Sequence, residues 1–149
     1  MEVLVKRFDE LTTKELYGLL SLRSEVFVVE QNCVYQDLDG KDHKAIHILG
    51  YHNKELVAYS RVFKPGDYFK EASIGRVVVK KISRGLGDGY VIMNAAIAYI
   101  TEEFNEVDIR ISAQTYLKEF YKNLQFNEIG GEYLEDGIPH INMIKTEFN

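Results

Sequence analysis

The feature that most constrains the fold is a strand, a glycine-rich loop and a helix that follow one another in the middle of the chain. The strand is predicted over Ile74–Val79, whose run of three valines lacks alternation and is typical of a strand covered on both faces. The loop Arg84–Gly89 carries three glycines, and apolar residues at helical spacing follow it. Alternating apolar residues at 107, 109 and 111 then predict a half-buried strand. We expect this β-α-β unit to form a right-handed parallel crossover.

The remaining segments add hairpins and helices around this unit. Runs of strand-forming residues predict further strands at Val3–Phe8, Ala45–Tyr51, Glu55–Phe63, Phe126–Ile129 and His140–Thr146. A capping box at Thr12 and Glu15 begins a helix predicted over Thr13–Val28, and an apolar stripe predicts a last helix over 117–124. A long polar loop, Glu30–Asp42, follows the first helix. The order β-α-loop-β-β-β-α-β-α-β-β predicts an α+β fold with a mixed sheet, in one domain over residues 1–149.

Composition and charge exclude several classes of protein. With 18 Lys and Arg against 23 Asp and Glu, the net charge is -5, which argues against sequence-independent binding to nucleic acid. A single cysteine, Cys33, excludes an internal disulfide framework and a CxxC-type zinc site. No apolar run approaches the roughly 20 residues of a membrane helix, and acidic residues interrupt the N-terminal apolar residues, unlike a signal peptide. We therefore expect a cytoplasmic protein with no nucleic-acid or membrane partner.

Three classes of glycine loop compete for Arg84–Gly89. The phosphate-binding loop of nucleotide hydrolases requires Gly-Lys-Ser/Thr, whereas Asp88 and Gly89 follow Gly87 here. A dinucleotide fingerprint requires GxGxxG after the first strand, but Tyr90 occupies the third glycine position and the loop comes late in the chain. The pattern Arg/Gln-x-x-Gly-x-Gly/Ala fits. It predicts an anion held by backbone N–H groups at a helix N-terminus, where glycines permit close approach. The alternative is a flexible loop whose glycines only make turns.

Three segments carry a resemblance to a known family. Val77–Met93 resembles the acyl-CoA-binding motif of the GNAT N-acetyltransferase superfamily. Val26–Asp42 and Glu135–Met143 resemble the ElaA-like branch of that superfamily, and the similarity runs over nearly the whole chain in the same order. The resemblance implies a mixed sheet of six to seven strands flanked by helices. Two parallel strands at its centre would splay apart, and acetyl-CoA would enter the gap.

The resemblance also implies which residues hold acetyl-CoA. Backbone groups of Val77, Val78 and Val79 would meet the pantetheine arm, as would Gln114, which stands where many members have Asn. The pyrophosphate would lie in the loop formed by Arg84, Gly85, Leu86, Gly87, Asp88 and Gly89. Tyr121 lies in a stretch similar to the family's FYxxxGF, in which Gln125 replaces the usual glycine. There it would contact the cofactor and act as the general acid for the departing thiolate. Periodicity alone favours a core aromatic at Tyr121.

The general base is left open by the sequence. An amine must be neutral to attack, and the candidates for accepting its proton are Glu30, Asp37, Asp39, His47 and His140. Our predicted catalytic residues are Tyr121, His140 and Glu30. The side chains predicted to face the acceptor are Gln31, Asp37, His47, Arg76 and His140. For His47, which lies in a strand pattern, a hydrogen-bonded structural histidine is the alternative.

The two segments outside the cofactor motif are acidic. Glu30–Asp42 and Glu135–His140 both carry carboxylates, which predicts an acidic pocket mouth that favours a cationic amine. Pairing of these carboxylates with Arg23, Arg61 and Arg76 would remove that preference.

Two other patterns are expected to carry no chemistry. In Asp37–Asp42 the glycine comes too early for a calcium loop and a lysine lies inside, so we expect no metal. Cys33 has no histidine near it in sequence, so a surface or packing thiol is favoured over a covalent acetyl-cysteine.

The sequence therefore predicts an acetyl-CoA-dependent N-acetyltransferase. Its acceptor would be a primary amine of a small molecule or a peptide, acetylated by direct transfer in a ternary complex. A non-catalytic acyl-CoA-binding sensor or regulatory module is the alternative, and a nucleotide-binding protein is a third hypothesis. A homodimer is left open.

Overall fold

The computed structural model describes residues 1–105 and 107–146 and contains a seven-stranded sheet. The strands are β1 (Glu2–Arg7), β2 (Ile46–His52), β3 (Glu55–Phe63), β4 (Ala72–Val79), β5 (Ile109–Gln114), β6 (Asn127–Glu135) and β7 (Ile138–Lys145). The helices are α1 (Thr13–Arg23), α2 (Asp88–Phe104) and α3 (Lys118–Asn123). The predicted order of elements and the mixed α+β class are confirmed. Glu106 and residues 147–149 of the predicted domain lie outside the described residues.

The strands form the sheet in the order β1-β2-β3-β4-β5-β7-β6, with β4 and β5 as its parallel pair. Within the described ranges these two strands pair only at Ala72 with Ile109 and at Ser73 with Arg110. The other neighbouring strands pair in antiparallel fashion. Because β4 and β5 continue beyond their short pairing, a gap opens at the centre of the sheet, and the expected central splay is confirmed.

The valine run of β4 contributes to both faces of the sheet. Val77 and Val79 pack against the core cluster that contains Ile92 of α2, whereas Val78 belongs to the cluster that contains Leu19 of α1. Because successive side chains of a strand point to opposite faces, α1 and α2 cover opposite faces. Because both faces of β4 are covered, its valine run does not alternate with polar residues. No helix in the described part of the chain is long and apolar enough to span a membrane.

The first helix departs from the prediction at its C-terminal end. Its capping box is present, since Thr12 Oγ1 accepts from the Glu15 N–H at 3.1 Å and the Thr12 N–H donates to Glu15 Oε1 at 2.8 Å. After α1 the chain continues as a π-helical segment, Ser24–Glu30, and the Gln31 N–H donates to the Val26 carbonyl at 3.2 Å. Segments of π-helix are frequent at functional sites, and this one borders the central gap.

Strand β6 is longer than the predicted Phe126–Ile129. It lies at the sheet edge and is mostly exposed, so it lacks the apolar alternation that reveals a half-buried strand. Its register with β7 shifts between Ile129 and Tyr133, and Gly130 in that bulge has a φ of 71°. The longer strand brings the turn that follows it over the central gap.

Candidate active site

The gap between β4 and β5 opens into a cavity of about 610 Å³. This volume lies within the usual range of small-molecule and cofactor sites. One part of the cavity, here called the loop end, is bordered by Ser83, Arg84, Gly85, Gly87, Asp88 and Gly89. The other part, here called the hairpin end, is bordered by Tyr35, Arg76 and four residues of the β6–β7 hairpin: Glu135, Asp136, Ile138 and His140. The π-helical segment contributes Val26, Phe27 and Glu30 to the wall.

The glycines of the loop end make an open cradle at the start of α2. Gly85 and Gly87 have φ of 85° and 86°, which L side chains rarely adopt, and a Cβ on either would meet nothing within 4 Å. Gly87 is the N-cap of α2, whose first N–H groups have no partner within the helix. Gly89 packs closely, since a Cβ there would lie 3.3 Å from the Phe120 ring. A phosphate group fits a cradle of this kind.

Most of the residues predicted to hold the cofactor line the cavity. They are Val77, Val78, Val79, Arg84, Gly85, Gly87, Asp88, Gly89, Gln114 and Tyr121. Leu86 is the exception, because its side chain is exposed to solvent and it does not border the cavity. The unpaired edges of β4 and β5 offer backbone groups to a ligand. The cavity thus suits a molecule that joins a phosphate group to an extended arm.

An ion pair joins the loop end to the π-helical segment. Nη1 and Nη2 of Arg84 donate to the Glu30 carboxylate at 2.6 and 2.9 Å, and Arg84 Nε donates to the Val79 carbonyl at 3.0 Å. The hydrogen bonds from Arg84 lower the pKa of Glu30. A carboxylate with a lowered pKa is a weaker base, so this geometry disfavours Glu30 as the general base.

A histidine–carboxylate contact lies at the first residue of α2, next to the cradle. His52 Nε2 lies 2.9 and 3.1 Å from the two carboxylate oxygens of Asp88, the first residue of α2. A carboxylate only accepts hydrogen bonds, so the ring nitrogen is the donor. His52 is not among the residues predicted from the sequence, because it belongs to no motif and reaches Asp88 only through the packing of β2 near α2.

Two glutamines predicted for different roles form one amide pair. Gln31 follows the π-helical segment and Gln114 ends β5, and each side-chain amide donates to the other's oxygen at 3.4 Å. Both residues line the cavity. The pair therefore links the two walls of the cavity, which the sequence does not reveal.

Tyr121 lies on α3 with its ring in the core and its side chain at the cavity wall. The ring centroid is 5.0 Å from that of Phe120 and 6.2 Å from that of Phe126, in edge-on contacts. Burial raises the pKa of the Tyr121 phenol, so the hydroxyl stays protonated at neutral pH. That hydroxyl makes no hydrogen bond within the described residues. Tyr121 therefore packs in the core, and its hydroxyl is also available as a proton donor.

His140 lies at the hairpin end with one ring nitrogen oriented by the backbone. Nδ1 is 2.7 Å from the Ile138 carbonyl, which can only accept, so Nδ1 carries the proton of the neutral ring. Nε2 is left with its lone pair, 3.4 Å from Glu135 Oε2. The ring also stacks on Tyr133 with centroids 6.1 Å apart. In the neutral ring Nε2 is therefore the nitrogen with the lone pair, and it lies near the Glu135 carboxylate at the cavity wall.

The structure contradicts the prediction that His47 faces the acceptor. His47 is completely buried and is not among the described residues that line the cavity. Its Nε2–H donates to the Asp42 carbonyl at 2.9 Å, and its Nδ1 accepts from the Tyr59 hydroxyl at 2.6 Å. Burial lowers the pKa of His47. Both ring nitrogens are occupied, so His47 is a structural histidine.

The aspartates of Glu30–Asp42 do not contribute to the predicted acidic pocket mouth, because none of them lines the cavity. The three aspartates of this segment pair with three arginines, at N···O distances from 2.5 to 3.6 Å: Asp37 with Arg23 and Arg76, Asp39 with Arg61 and Arg76, and Asp42 with Arg23 and Arg61. We call these six residues the arginine–aspartate cluster. Its formal charges cancel, and of the six only Arg76 lines the cavity.

The prediction that Asp37 faces the acceptor is therefore also contradicted. Asp37 is 4% exposed and lies inside the cluster. Burial acts to raise the pKa of Asp39, but hydrogen bonds and charge from Arg61 outweigh it and lower that pKa. A polar loop suggests solvated carboxylates, and only the tertiary structure supplies the arginines. Within the described ranges, no group of three His, Cys, Asp or Glu side chains is placed to hold a metal ion.

Several residues of the cavity wall were not identified from the sequence. Tyr35, Ser112 and Tyr116 line the cavity, and the Ser112 hydroxyl pairs with that of Tyr133. Ser112 is one of the polar residues that alternate with apolar residues in β5. That alternation predicts the face of the sheet on which Ser112 lies, but it predicts no functional role. Cys33 also borders the cavity, and its thiol donates to the Asp136 carbonyl at 3.2 Å.

Comparisons with known proteins agree with this architecture. The sequence profile of the acetyltransferase (GNAT) domain matches residues 10–147. Protein ElaA of Escherichia coli K12 is 44% identical over 139 residues, which cover 92% of this chain and 91% of that protein. A UPF0039 protein of Synechocystis is 42% identical over 140 residues, 93% of this chain and 91% of its own.

Solved structures show the same relationship. A crystal structure of an acyl-CoA N-acyltransferase from Pseudomonas aeruginosa superposes with a TM-score of 0.91 at 38% identity, covering 97% of this chain and 98% of that one. The crystal structure of E. coli ElaA gives 0.91 at 41% identity with the same coverage. An aminoglycoside 6'-N-acetyltransferase complexed with coenzyme A, with a TM-score of 0.72 at 16% identity over 96% of each chain, shares the fold alone. The cavity between parted parallel strands, the sequence profile and these relatives together establish that the chain belongs to the GNAT acetyltransferase family, among the homologues of ElaA.

Proposed function

We propose that the protein transfers an acetyl group from acetyl-CoA to a primary amine of a small molecule or peptide, in one ternary complex. The observation that carries the proposal is the arrangement of one continuous cavity between β4 and β5. The glycine cradle, the phenol of Tyr121 and the imidazole of His140 all border it.

The residues present suit acetyl-CoA. The left-handed glycines and the start of α2 make a cradle for the pyrophosphate, and Arg84 adds a cation beside it. The unpaired edge of β4 from Ile74 to Val79 is long enough to offer peptide groups to an extended arm. Acetyl-CoA would supply the acetyl group as a thioester, and the products would be the N-acetylated amine and free CoA.

Each proton of that reaction has a candidate carrier in this chain. His140 Nε2 would accept the proton that the amine loses as its nitrogen bonds to the acetyl carbon. A backbone N–H of β4 would stabilise the negative charge that develops on the acetyl oxygen. Tyr121 would donate its phenolic proton to the sulfur as the carbon–sulfur bond breaks, and solvent would then restore that proton.

The test is release of free CoA thiol from acetyl-CoA, measured across a panel of amines and amidated peptides. Tyr121→Phe keeps the packed ring and removes only the hydroxyl, so kcat should fall roughly 10²- to 10⁴-fold with acetyl-CoA affinity little changed. Tyr99→Phe is the matched control, because Tyr99 lies on α2 outside the cavity wall and packs against Phe104.

Two results would contradict the proposal. If acetyl-CoA raised the melting temperature but no acceptor released CoA, the chain would be an acyl-CoA-binding sensor. If Tyr121→Phe retained full kcat with chemistry rate-limiting, Tyr121 would be a packing residue only.

A further inference from the structure

Arg76 has an unusual backbone conformation inside a strand. It lies in the middle of β4 with a φ of 50°, where the pairing with β3 shifts register between Tyr59 and Arg61. A left-handed conformation at a residue other than glycine is strained and persists only where the surroundings enforce it. Such strain clusters at binding and catalytic sites. The bulge brings an arginine to the wall of the cavity at the hairpin end.

The guanidinium of Arg76 is held firmly on one side only. Nε lies 2.7 Å from Asp37 Oδ1, and Nη2 donates to the Asp37 carbonyl at 2.9 Å. The group also lies 5.9 Å from the centre of the Tyr35 ring. Nη2 also lies 3.6 Å from Asp39 Oδ2, whereas Nη1 makes no hydrogen bond within the described residues. The cluster thus orients the guanidinium and leaves one of its nitrogens free for a ligand.

Carboxylates border the same end of the cavity. Glu135, Asp136 and His140 all line it, and Glu135 lies against the imidazole. Tyr35 interacts with charges of both signs. Burial raises the pKa of its hydroxyl to about 12, the charge of Arg76 opposes that rise, and the charge of Asp136 adds to it. The hairpin end therefore presents a fixed cation and a pair of carboxylates around one space.

We propose that Arg76 binds a carboxylate of the acceptor, so that the acceptors are amines that also carry a carboxylate, such as amino acids. This inference rests on the proposed function. The carboxylate would accept hydrogen bonds from Arg76, and the amine would approach Glu135, Asp136 and the free Nε2 of His140. An acceptor with positive charge alone would place a cation beside Arg76 without the compensating contact.

The test compares matched acceptors that differ only in the carboxylate. The pairs are L-leucine with isopentylamine, L-phenylalanine with phenethylamine and L-lysine with cadaverine. A further pair, glutamyl-alanine amide with glutaminyl-alanine amide, carries its carboxylate on a peptide side chain and so separates a peptide source from a free amino acid. We expect kcat/KM to be roughly 10- to 100-fold higher for the carboxylated member, the range for hydrogen bonds to charged groups.

The variants separate binding from structure. Arg76→Gln should bring the ratio within a pair close to one, mainly through KM for the carboxylated member, while Arg76→Lys should keep part of the preference. Arg61→Gln disturbs the same arginine–aspartate cluster but lies outside the cavity wall, so it should lower stability and leave the ratio unchanged.

Three outcomes would decide against the inference or against its premise. Equal turnover within every pair would overturn the inference and leave the acetyltransferase proposal standing. Equal loss of the preference in Arg61→Gln and Arg76→Gln would show that the cluster acts only on structure and would also overturn it. Absence of turnover with every acceptor would instead contradict the proposed function.

Discussion

The loop end and the hairpin end of the cavity are built in different ways. The loop end comes from one stretch, within residues 83–89, and presents mainly backbone groups whose positions depend on glycine φ angles. The hairpin end is assembled from side chains of separate segments, with Tyr35, Arg76 and His140 on three of them. A site made of local backbone thus depends on a few glycines, whereas a site made of distant side chains depends on the buried contacts that hold them.

At the hairpin end those contacts run into the core. Arg23 is completely buried, and its Nε and Nη1 lie 2.8 and 2.7 Å from carboxylate oxygens of Asp37 and Asp42. Asp37 in turn orients Arg76. At the loop end the comparable ion pair, Arg84 with Glu30, is partly exposed. The hairpin end is therefore held by buried charges and the loop end by a partly exposed pair, so substitutions at the two ends should affect stability and binding differently.

The largest effect is expected from Arg23→Leu. It leaves two buried carboxylates short of a partner, so the free energy of unfolding should fall by about 3–5 kcal/mol, as measured by urea titration. Lys6→Met is the control, since it removes a more exposed ion pair with Glu15 beside the same helix and should cost no more than about 1 kcal/mol. If the free energy of unfolding fell equally in the two variants, the buried cluster would be no more stabilising than the more exposed ion pair.

The next effect concerns the cradle. Gly87→Val places a branched side chain at a φ of 86° and in the space for the phosphate, so the rise in melting temperature with CoA should disappear. The loss of two backbone hydrogen bonds to a charged group corresponds to roughly 100-fold weaker binding. Gly40→Val is matched, because Gly40 has a φ of 75° and also has open space, but lies outside the cavity wall. If CoA still raised the melting temperature of Gly87→Val, the assignment of the cradle as the phosphate site would be wrong.

The third prediction concerns the pH dependence of stability. It tests His47, which donates to the carbonyl of Asp42 in the arginine–aspartate cluster. Burial holds the pKa of His47 below its unfolded value of about 6.5. The unfolded state then binds the proton more readily, so stability is fully present above about pH 6.5 and declines below it, by up to about 1.4 kcal/mol per pH unit. Urea titrations at pH 7.5 and 5.5 measure this decline. His47→Gln should reduce it, and His43→Gln, at an exposed histidine, is the control variant; an unchanged decline in His47→Gln would contradict the assignment.

The smallest effect is expected from Glu30→Gln. The change releases Arg84 from its bidentate partner and removes a negative charge beside the cradle, so CoA should bind a few-fold more tightly, roughly two- to five-fold for a partly exposed pair. Isothermal titration with CoA measures it. Glu55→Gln, which breaks the exposed pair with Lys80 outside the cavity, should leave affinity unchanged. Weaker CoA binding in Glu30→Gln would mean that Glu30 holds Arg84 in its productive position.

The elements with strong periodicity were predicted well, and the weakly patterned ones were not. The valine run and the glycine loop predicted β4, the start of α2 and the parallel partner β5. Strand β6 is exposed on an edge and was predicted too short, because an edge strand needs no apolar alternation. The change from α1 to π-helix at Ser24 leaves no mark in apolar spacing, since it alters which carbonyl each N–H reaches rather than which residues are apolar.

The structural effect of a residue that departs from the family pattern could not be predicted from the sequence either. Gln125 stands at the usual glycine of the FYxxxGF-like stretch, which suggests an altered turn after α3. The structure keeps a left-handed turn there, with a φ of 70° at Gln125. The Phe126 N–H donates to the Tyr121 carbonyl at 3.1 Å across that turn. The local strain is offset by the packing of Phe126, which is 1% exposed, in the core.

The order of elements, the parallel pair and the cradle could all be predicted from the amino-acid sequence, because each depends on residues close together in the chain. The charge of the hairpin end depends instead on contacts between distant segments. The three aspartates of the polar loop are neutralised by arginines from α1, β3 and β4, and His47 is enclosed by Tyr59 and Asp42. A carboxylate or an imidazole has no preference for solvent or core that its neighbours in sequence reveal. Its role is set by whichever opposite charge or hydrogen-bond partner the fold brings within about 3 Å, the distance of a hydrogen bond.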